Sequence, residues 1–360
     1  MKKHQHFIPR TYLKYFKNSP DSELINAFNK ENNVYKDIGL KDVCVEKNFY
    51  TLKHLKGEDS LVIEEYFDKE IERKFDKIYN LLITQKLRTV DIEQKLDILK
   101  VTLSMYFRTP KKLNEFISNT DKLIDEWLND QDIQDVNFFG FKINLQGKTK
   151  KNIQNELREH LRPNYLSIQL QLFEDFVNFK INDGLTVIEN TGEYDFFTGD
   201  NPVNLLNKND ISTDLYNVEN SIYIPLNPKF YLFIAPPKLE KSGSDIFYQK
   251  DNFLLSHMVN ACTFENSEKW ILGKGVSLKK SLEKYFELDN NYDPNHPILD
   301  DMKIKIVLMT NVLEASKKGF STANLELVNS LKELKNWNKF SEHIDLIELV
   351  NTFKKYGIII

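Results

Sequence analysis

The chain has 360 residues, 41% hydrophobic and 28% charged, with a formal net charge of -4 and a sequence pI of about 6.1. That composition is globular and allows one large or two smaller domains. It speaks against a basic, non-specific nucleic-acid coat while leaving room for an acidic enzyme with a basic cleft. Glycine (12) and proline (11) are scarce, which favours helices over phosphate-cradling glycine loops.

The opening "MKKHQHFIPRTYLKYF" places His4 and His6 one residue apart, with no apolar leader segment after the lysines. Phe7, Tyr12, Leu13 and Phe16 are spaced to dock this segment on a core. "LINAF" and "VYKDI" flank "NKENN" and read as a β-hairpin, and "VCVEKNFYTL" as a further strand. From about Ser60 the period changes: Ile63, Phe67, Ile71, Phe75, Ile78 and Leu82 predict an amphipathic helix. Asp91 is the expected N-cap of the next helix, which Pro110 interrupts, and a long helix spans roughly 150–180 with Pro163 as a kink or boundary.

Beyond Asn182 strands return. "GLTVIEN" and "EYDFFTGDNPV", separated by "TG", read as a hairpin, and "SIYIPLNPKFYLFIAPP" as two strands around Asn227-Pro228. "NFLLSHMVNACTF" reads as a helix, "KWILGKG" and "KIKIVLM" as strands, and the C-terminal "NLELVNSLKELKNWNKF" and "IDLIELVNTFKKYG" as a helical pair. Such segregated blocks predict an α+β fold, with a helical middle region packed on a mostly antiparallel sheet and C-terminal helices. Residues 1–275 form one expected domain and 276–360 an extension packed on the same unit. Cys44 and Cys262 lack metal-ligand or disulfide-framework spacing and read as small buried hydrophobes. No run reaches about 18 apolar residues, so no membrane span is expected and the protein is expected to be cytoplasmic.

Four features carry potential chemistry. In an extended segment residues two apart face the same way, so His4 and His6 point into one cavity; each imidazole suits general acid, general base or metal-ligand work. The alternatives are a solvated tail or one histidine capping a buried network. Asp200 in "FFTGDNPV" follows a strand, as a functional carboxylate or as an Asx-turn. Arg108 in "YFRTP" sits in an apolar helix and needs a partner or an anion, a salt bridge to Glu65 or Glu72 being the simpler reading. Glu65 and Glu72, seven apart, share one helix face, as paired carboxylates or as a solvated stripe. "QGKTKK" lacks the first glycine of a phosphate loop, and "REHLR" (Arg158, His160, Arg162) is a basic helical patch open to phosphates or simply surface charge.

"HQHFIPRTYLKYF", "NFYTL", "IEEYFDKEIERKF", "FRTP" and "FFTGDNPV" followed by "YIPLNP" occur in this order across residues 3 to 275. The chain resembles the bacterial domain-of-unknown-function family 4238, with Gly199 where serine is expected. The resemblance implies that His6, Glu65, Glu72, Arg108 and Asp200 converge in space, and it fits proteins of phage-defence or toxin contexts.

The leading functional expectation is a nucleic-acid-cleaving enzyme, RNase or DNase. His4 or His6 acts as general base or acid, with Arg108 stabilising charge on the phosphorane. Asp200 orients a histidine or, with His4, His6 and a glutamate, holds a divalent metal, and the aromatic opening stacks bases. The alternatives are a non-catalytic sensing or protein-binding module using the helices after Thr322, or a buried polar network of purely structural role.

Overall fold

A computed structural model describes residues 4–52, 55–118, 120–130, 134–138, 141–206, 215–236, 244–251 and 254–290. Strand β1 (His4–His6) lies antiparallel to β4 (Val45–Lys47), with Gln5 opposite Glu46. Helix α1 (Arg10–Leu13) follows, and Phe7, Tyr12, Leu13 and Phe16 are all buried, as their spacing requires. The Tyr12 hydroxyl donates to the Pro225 carbonyl at 2.8 Å and meets Thr198 Oγ1 at 2.6 Å, which ties the opening segment to two distant strands.

Strands β2 (Leu24–Asn29) and β3 (Val34–Gly39) form the expected hairpin, and Asn33 takes the left-handed conformation that its turn needs. The helix expected from Ser60 is broken. A 3-10 turn leads into α2 (Val62–Tyr66), a π turn covers Phe67–Ile71, and α3 (Phe75–Tyr79) runs into a second π turn at Asn80–Thr84. The cause lies in the spacing: Ile63, Phe67, Ile71 and Phe75 recur every four residues, and each such step overshoots one α-helical turn by about 40°. The wider π turn absorbs the excess, so all of these side chains stay buried.

Helix α4 (Ile92–Phe107) starts on a capping box made by Asp91 and Gln94. Helix α5 (Pro110–Ser118) begins at the expected proline, and α6 (Asp121–Asn129) follows. A short hairpin of β5 (Asp135–Phe138) and β6 (Phe141–Asn144), not anticipated from the sequence, precedes α7 (Lys150–Phe179), which carries Pro163 inside it.

The second half builds two sheets. β7 (Gly184–Asn190), β9 (Asn204–Leu206), β10 (Ser221–Asn227), β11 (Phe230–Ala235) and β12 (Ile246–Asp251) form one, in the order β12-β7-β11-β10-β9. All its pairs are antiparallel except β12 with β7. β8 (Thr198–Gly199) and β13 (Trp270–Gly273), the latter following helix α8 (Leu254–Asn266), complete the other sheet, in the order β3-β2-β13-β8. The hairpin expected around Thr191-Gly192 is therefore absent: β11 and β12 occupy both edges of β7, and the chain crosses to the second sheet at β8. Helix α9 (Gly275–Asn290), also not anticipated, closes the described chain.

One contiguous core joins α4 and α7 (Ile98, Leu99, Phe107, Leu157, Phe173) to the inward side chains of the large sheet (Leu185, Val187, Ile224, Leu232). The fold is α+β, with the helical middle packed on mostly antiparallel strands. Residues 1–237 and 242–283 make one compact unit; of the other, 238–241 and 284–360, only 284–290 are described. The strand expected at 303–309 and the C-terminal helical pair lie outside the described residues. Among the described residues, no helix is long and apolar enough to cross a membrane.

Candidate functional site

In β1 the buried residue is the one between the two histidines. Gln5 and Phe7 point to the core, which leaves His4 exposed and His6 half-buried on the other phase of the strand. Gln5 Nε2 donates to Glu64 Oε2 at 2.7 Å and to Thr51 Oγ1 at 3.2 Å, while its Oε1 accepts from the Tyr50 amide at 2.7 Å. Period-two alternation with Phe7 carries the signal for this inward glutamine.

His6 is held on two sides. Its Nε2 lies 3.0 Å from the Leu40 carbonyl, which can only accept, so Nε2 carries the proton and Nδ1 the lone pair. Burial pulls the imidazole below its ordinary pKa; the charges of Arg10 and Arg108 push the same way, against the Leu40 bond and Glu72. The ring is therefore neutral near pH 7, with Nδ1 available as a base.

Arg108 closes α4 and is fully buried. Nη2 donates to the His6 carbonyl at 2.8 Å and to Glu72 Oε1 at 2.6 Å, and Nε donates to the Tyr50 hydroxyl at 2.9 Å. Nη1 has no hydrogen-bond partner among the described residues, but the guanidinium lies 4.4 Å from the Phe67 ring centre. Glu72, 23% exposed, is the edge at which this network meets solvent.

Glu65 is not part of it. Its carboxylate pairs with Lys69 at 2.8 Å, one turn along the same helix and half-exposed. The π turn at 67–71 unwinds the helix between the two glutamates, so it is Glu64 and Glu72, eight apart, that serve this network: Glu64 meets Gln5 of β1 directly, and Glu72 meets Arg108, which holds the His6 carbonyl.

Asp200 builds a separate, closed arrangement. Its Oδ1 accepts from the Glu268 amide at 2.9 Å, and its Oδ2 from the amides of Lys269 at 2.8 Å and Trp270 at 3.0 Å. Burial raises its pKa, opposed by these backbone donors and by Lys30. Around it two lysines cap the C-terminal end of α8. Lys30 Nζ donates to the carbonyls of Phe264 (2.6 Å) and Ser267 (2.7 Å), and Lys111 Nζ to that of Asn266 (2.8 Å). Burial lowers the pKa of both.

Gly199 fits the same clasp. A Cβ there would meet Ser267 Oγ at 1.9 Å and the Trp270 carbonyl at 3.0 Å, so a serine at 199 requires a smaller neighbour at 267. The basic helical patch is also engaged: Arg158 grips Glu46 at 2.9 and 3.0 Å, and Arg162 is buried. Of the two cysteines, Cys44 is buried and Cys262 half-buried.

The structure thus brings His6, Glu72 and Arg108 together, places Asp200 in a second cluster, and leaves His4 and Glu65 at the surface. Arg108 and Lys111, three residues apart, anchor the two clusters from one turn between α4 and α5. A metal set of His4, His6, Asp200 and a glutamate is not assembled. Among the described residues, no group of three or more His, Cys, Asp or Glu side chains is placed to hold an ion. No curated protein and no solved structure matches the chain. Residues 4–275 match the family DUF4238, a protein of unknown function, and the chain belongs to that family.

Proposed function

We propose that the chain is a metal-independent phosphodiesterase acting on nucleic acid inside the cell, in the manner of a toxin or phage-defence nuclease, with His6 as its base. The observation that carries this reading is the His6 ring itself. It is neutral, fixed through Nε2, without a hydrogen-bond partner at Nδ1 among the described residues, and acted on by the guanidinium of Arg10, whose side chain is 53% exposed. In the reaction, Nδ1 takes the proton of an attacking hydroxyl or water as the new P–O bond forms. The imidazolium then returns that proton to the leaving oxygen as the old P–O bond breaks. Arg10 meets the charged phosphate oxygens. Arg108 and Glu72 position β1 from behind: a fully buried guanidinium touches no substrate and acts through the His6 carbonyl.

The test is cleavage of single-stranded RNA and DNA by the full chain, with and without EDTA. The expected result is EDTA-resistant cleavage that falls about 100-fold or more in His6→Ala, the usual contribution of a positioned general base, with the folded state intact. Equal cleavage by His6→Ala overturns the reading.

A second reading, a non-catalytic sensing or protein-binding module, is favoured by one specific observation. Two of the residues singled out for chemistry, Arg108 and Asp200, are spent on internal hydrogen bonds. Absence of cleavage of either nucleic acid by the parent chain supports it.

A further inference from the structure

Most buried cations of this chain are accounted for. Arg108 has its carboxylate, carbonyl and ring partners. Lys180 Nζ donates to Asp183 Oδ2 and to the Asn220 carbonyl, each at 2.9 Å, and Lys95 Nζ to the Asp183 carbonyl at 2.7 Å. Arg162 differs. Its side chain is 3% exposed, and its ionic neighbour, Glu159 Oε1, lies 3.8 Å from Nη1, beyond hydrogen-bond length. Nε and Nη2 are buried with no hydrogen-bond partner among the described residues, and no aromatic face among them covers the guanidinium as Phe67 covers Arg108.

A second unpartnered donor lies one turn further along α7. Tyr165, three residues on and so on the same face of α7, is buried with its hydroxyl unpaired. Its ring packs against Phe116 of α5 at 5.3 Å, which fixes its direction. Burial pushes the phenol well above its ordinary pKa, so the hydroxyl remains a donor. The Glu115 carboxylate, whose charge acts on Tyr165, is held by Lys112 at 2.7 Å.

Leaving a guanidinium edge unpaired in the interior is costly. The edge left open here is the informative one: Nε–H and Nη2–H run parallel and match two oxygens of one carboxylate or phosphate. A lysine cannot make that fork, and the chain has only six arginines among its 49 basic residues, so arginine at this buried position is a selective use.

We propose that Arg162 and Tyr165 form a buried oxyanion site on α7 that takes one phosphate or carboxylate group, two oxygens on the Nε–Nη2 edge and a further contact on the Tyr165 hydroxyl. The site is independent of the His6 chemistry: its residues lie on a different element, and either reading can fail alone.

The test is calorimetric titration and thermal denaturation of the full chain with inorganic phosphate and, separately, acetate, against chloride at matched ionic strength. The expected result is saturable binding of one anion, with a matching rise in the unfolding midpoint. A general salt effect instead grows without saturation. Response to phosphate alone identifies a phosphate ligand, and response to acetate a carboxylate. Arg162→Lys, which keeps the charge and loses the fork, weakens binding about 10- to 100-fold, the loss of one or two charge-assisted hydrogen bonds. Tyr165→Phe weakens it less. Absence of a saturable response to either anion means that water alone satisfies these donors and overturns the site, as does an equal response in Arg162→Lys. Should Arg162→Lys fail to fold, an unchanged response in Tyr165→Phe overturns the proposal and a weakened one sustains it.

Discussion

The Asp200 clasp and the His6 network use similar chemistry, a buried charge set among backbone groups, and they end differently. Around Asp200 each carboxylate oxygen is met by backbone amides, and the nearby lysines spend their protons on the carbonyls that end α8. Around His6 the arginine is equally well anchored, but Nδ1 of the imidazole has no hydrogen-bond partner among the described residues and the Glu72 end reaches solvent. A motif residue is a candidate for chemistry when its hydrogen-bonding capacity is left over after the fold has used what it needs. By that measure Asp200 has nothing to spare and His6 does.

The comparison is broken most directly at the closed end. Asp200→Ala strips three part-buried amides of their acceptor and is expected to cost about 3 kcal/mol, read as a lower urea midpoint at unchanged slope. Nucleic-acid cleavage per folded molecule should not change; a selective loss of cleavage would show that the clasp is part of the reacting site. Next comes Glu72→Ala, which leaves Arg108 buried without its carboxylate and is expected to cost about 3 kcal/mol. Unlike the Asp200 variant, it should also lower cleavage by the folded fraction, because Arg108 holds the His6 carbonyl. A third, smaller effect tests the packing beneath the clasp. Gly199→Ala is expected to destabilise by about 1–3 kcal/mol through overcrowding, and Ser267→Gly in the same chain should recover part of that loss. Strict additivity of the two changes would show that the side chains do not compete for the same space.

The mildest effect belongs to His6 and concerns pH. Its pKa is lowered on folding, so below about 6.5 the unfolded chain binds more protons than the native one. Stability is then fully present above that pH and declines as the pH falls toward the folded-state value. His6→Gln should flatten this slope, as urea midpoints between pH 5 and pH 7.5 would reveal; an unaltered slope would assign the proton uptake to another group.

Local signals were the legible ones. The turn at "NKENN", the Asp91 cap and the apolar phase of Phe7, Tyr12 and Phe16 each depend on a few neighbouring residues, and the structure has them where the sequence puts them. The expected hairpin at Thr191-Gly192 failed because the partner of a strand is a non-local property: β11 and β12 take both edges of β7, which leaves none for β8. The pairing of Glu65 with Glu72 failed for a subtler reason. Seven residues equal two turns only in a regular α-helix, and the four-residue spacing of Ile63, Phe67, Ile71 and Phe75 already signals that this helix must be underwound. His4 and His6 do share one face, as an extended segment demands, but the core claims the opposite face, and only the alternation of Gln5 with Phe7 distinguishes the two. Arg162 belongs to a basic run that the sequence leaves open to phosphates or to solvent; its burial depends on how α7 meets its neighbours, which no short window records.

The hydroxyl of Tyr12 has a consequence for the order in which the molecule assembles. Its two partners, Thr198 and Pro225, are 186 and 213 residues further along the chain. At ordinary rates of synthesis Pro225 leaves the ribosome about 10–40 s after Tyr12. This segment is thus tied to β8 and β10 only after both have emerged, although its rings meet Phe49 and Phe75 much earlier in the chain. Shortening that delay, by a circular permutation that moves residues 4–16 behind the strands they dock on, should raise the yield of native protein made by translation without altering its final stability.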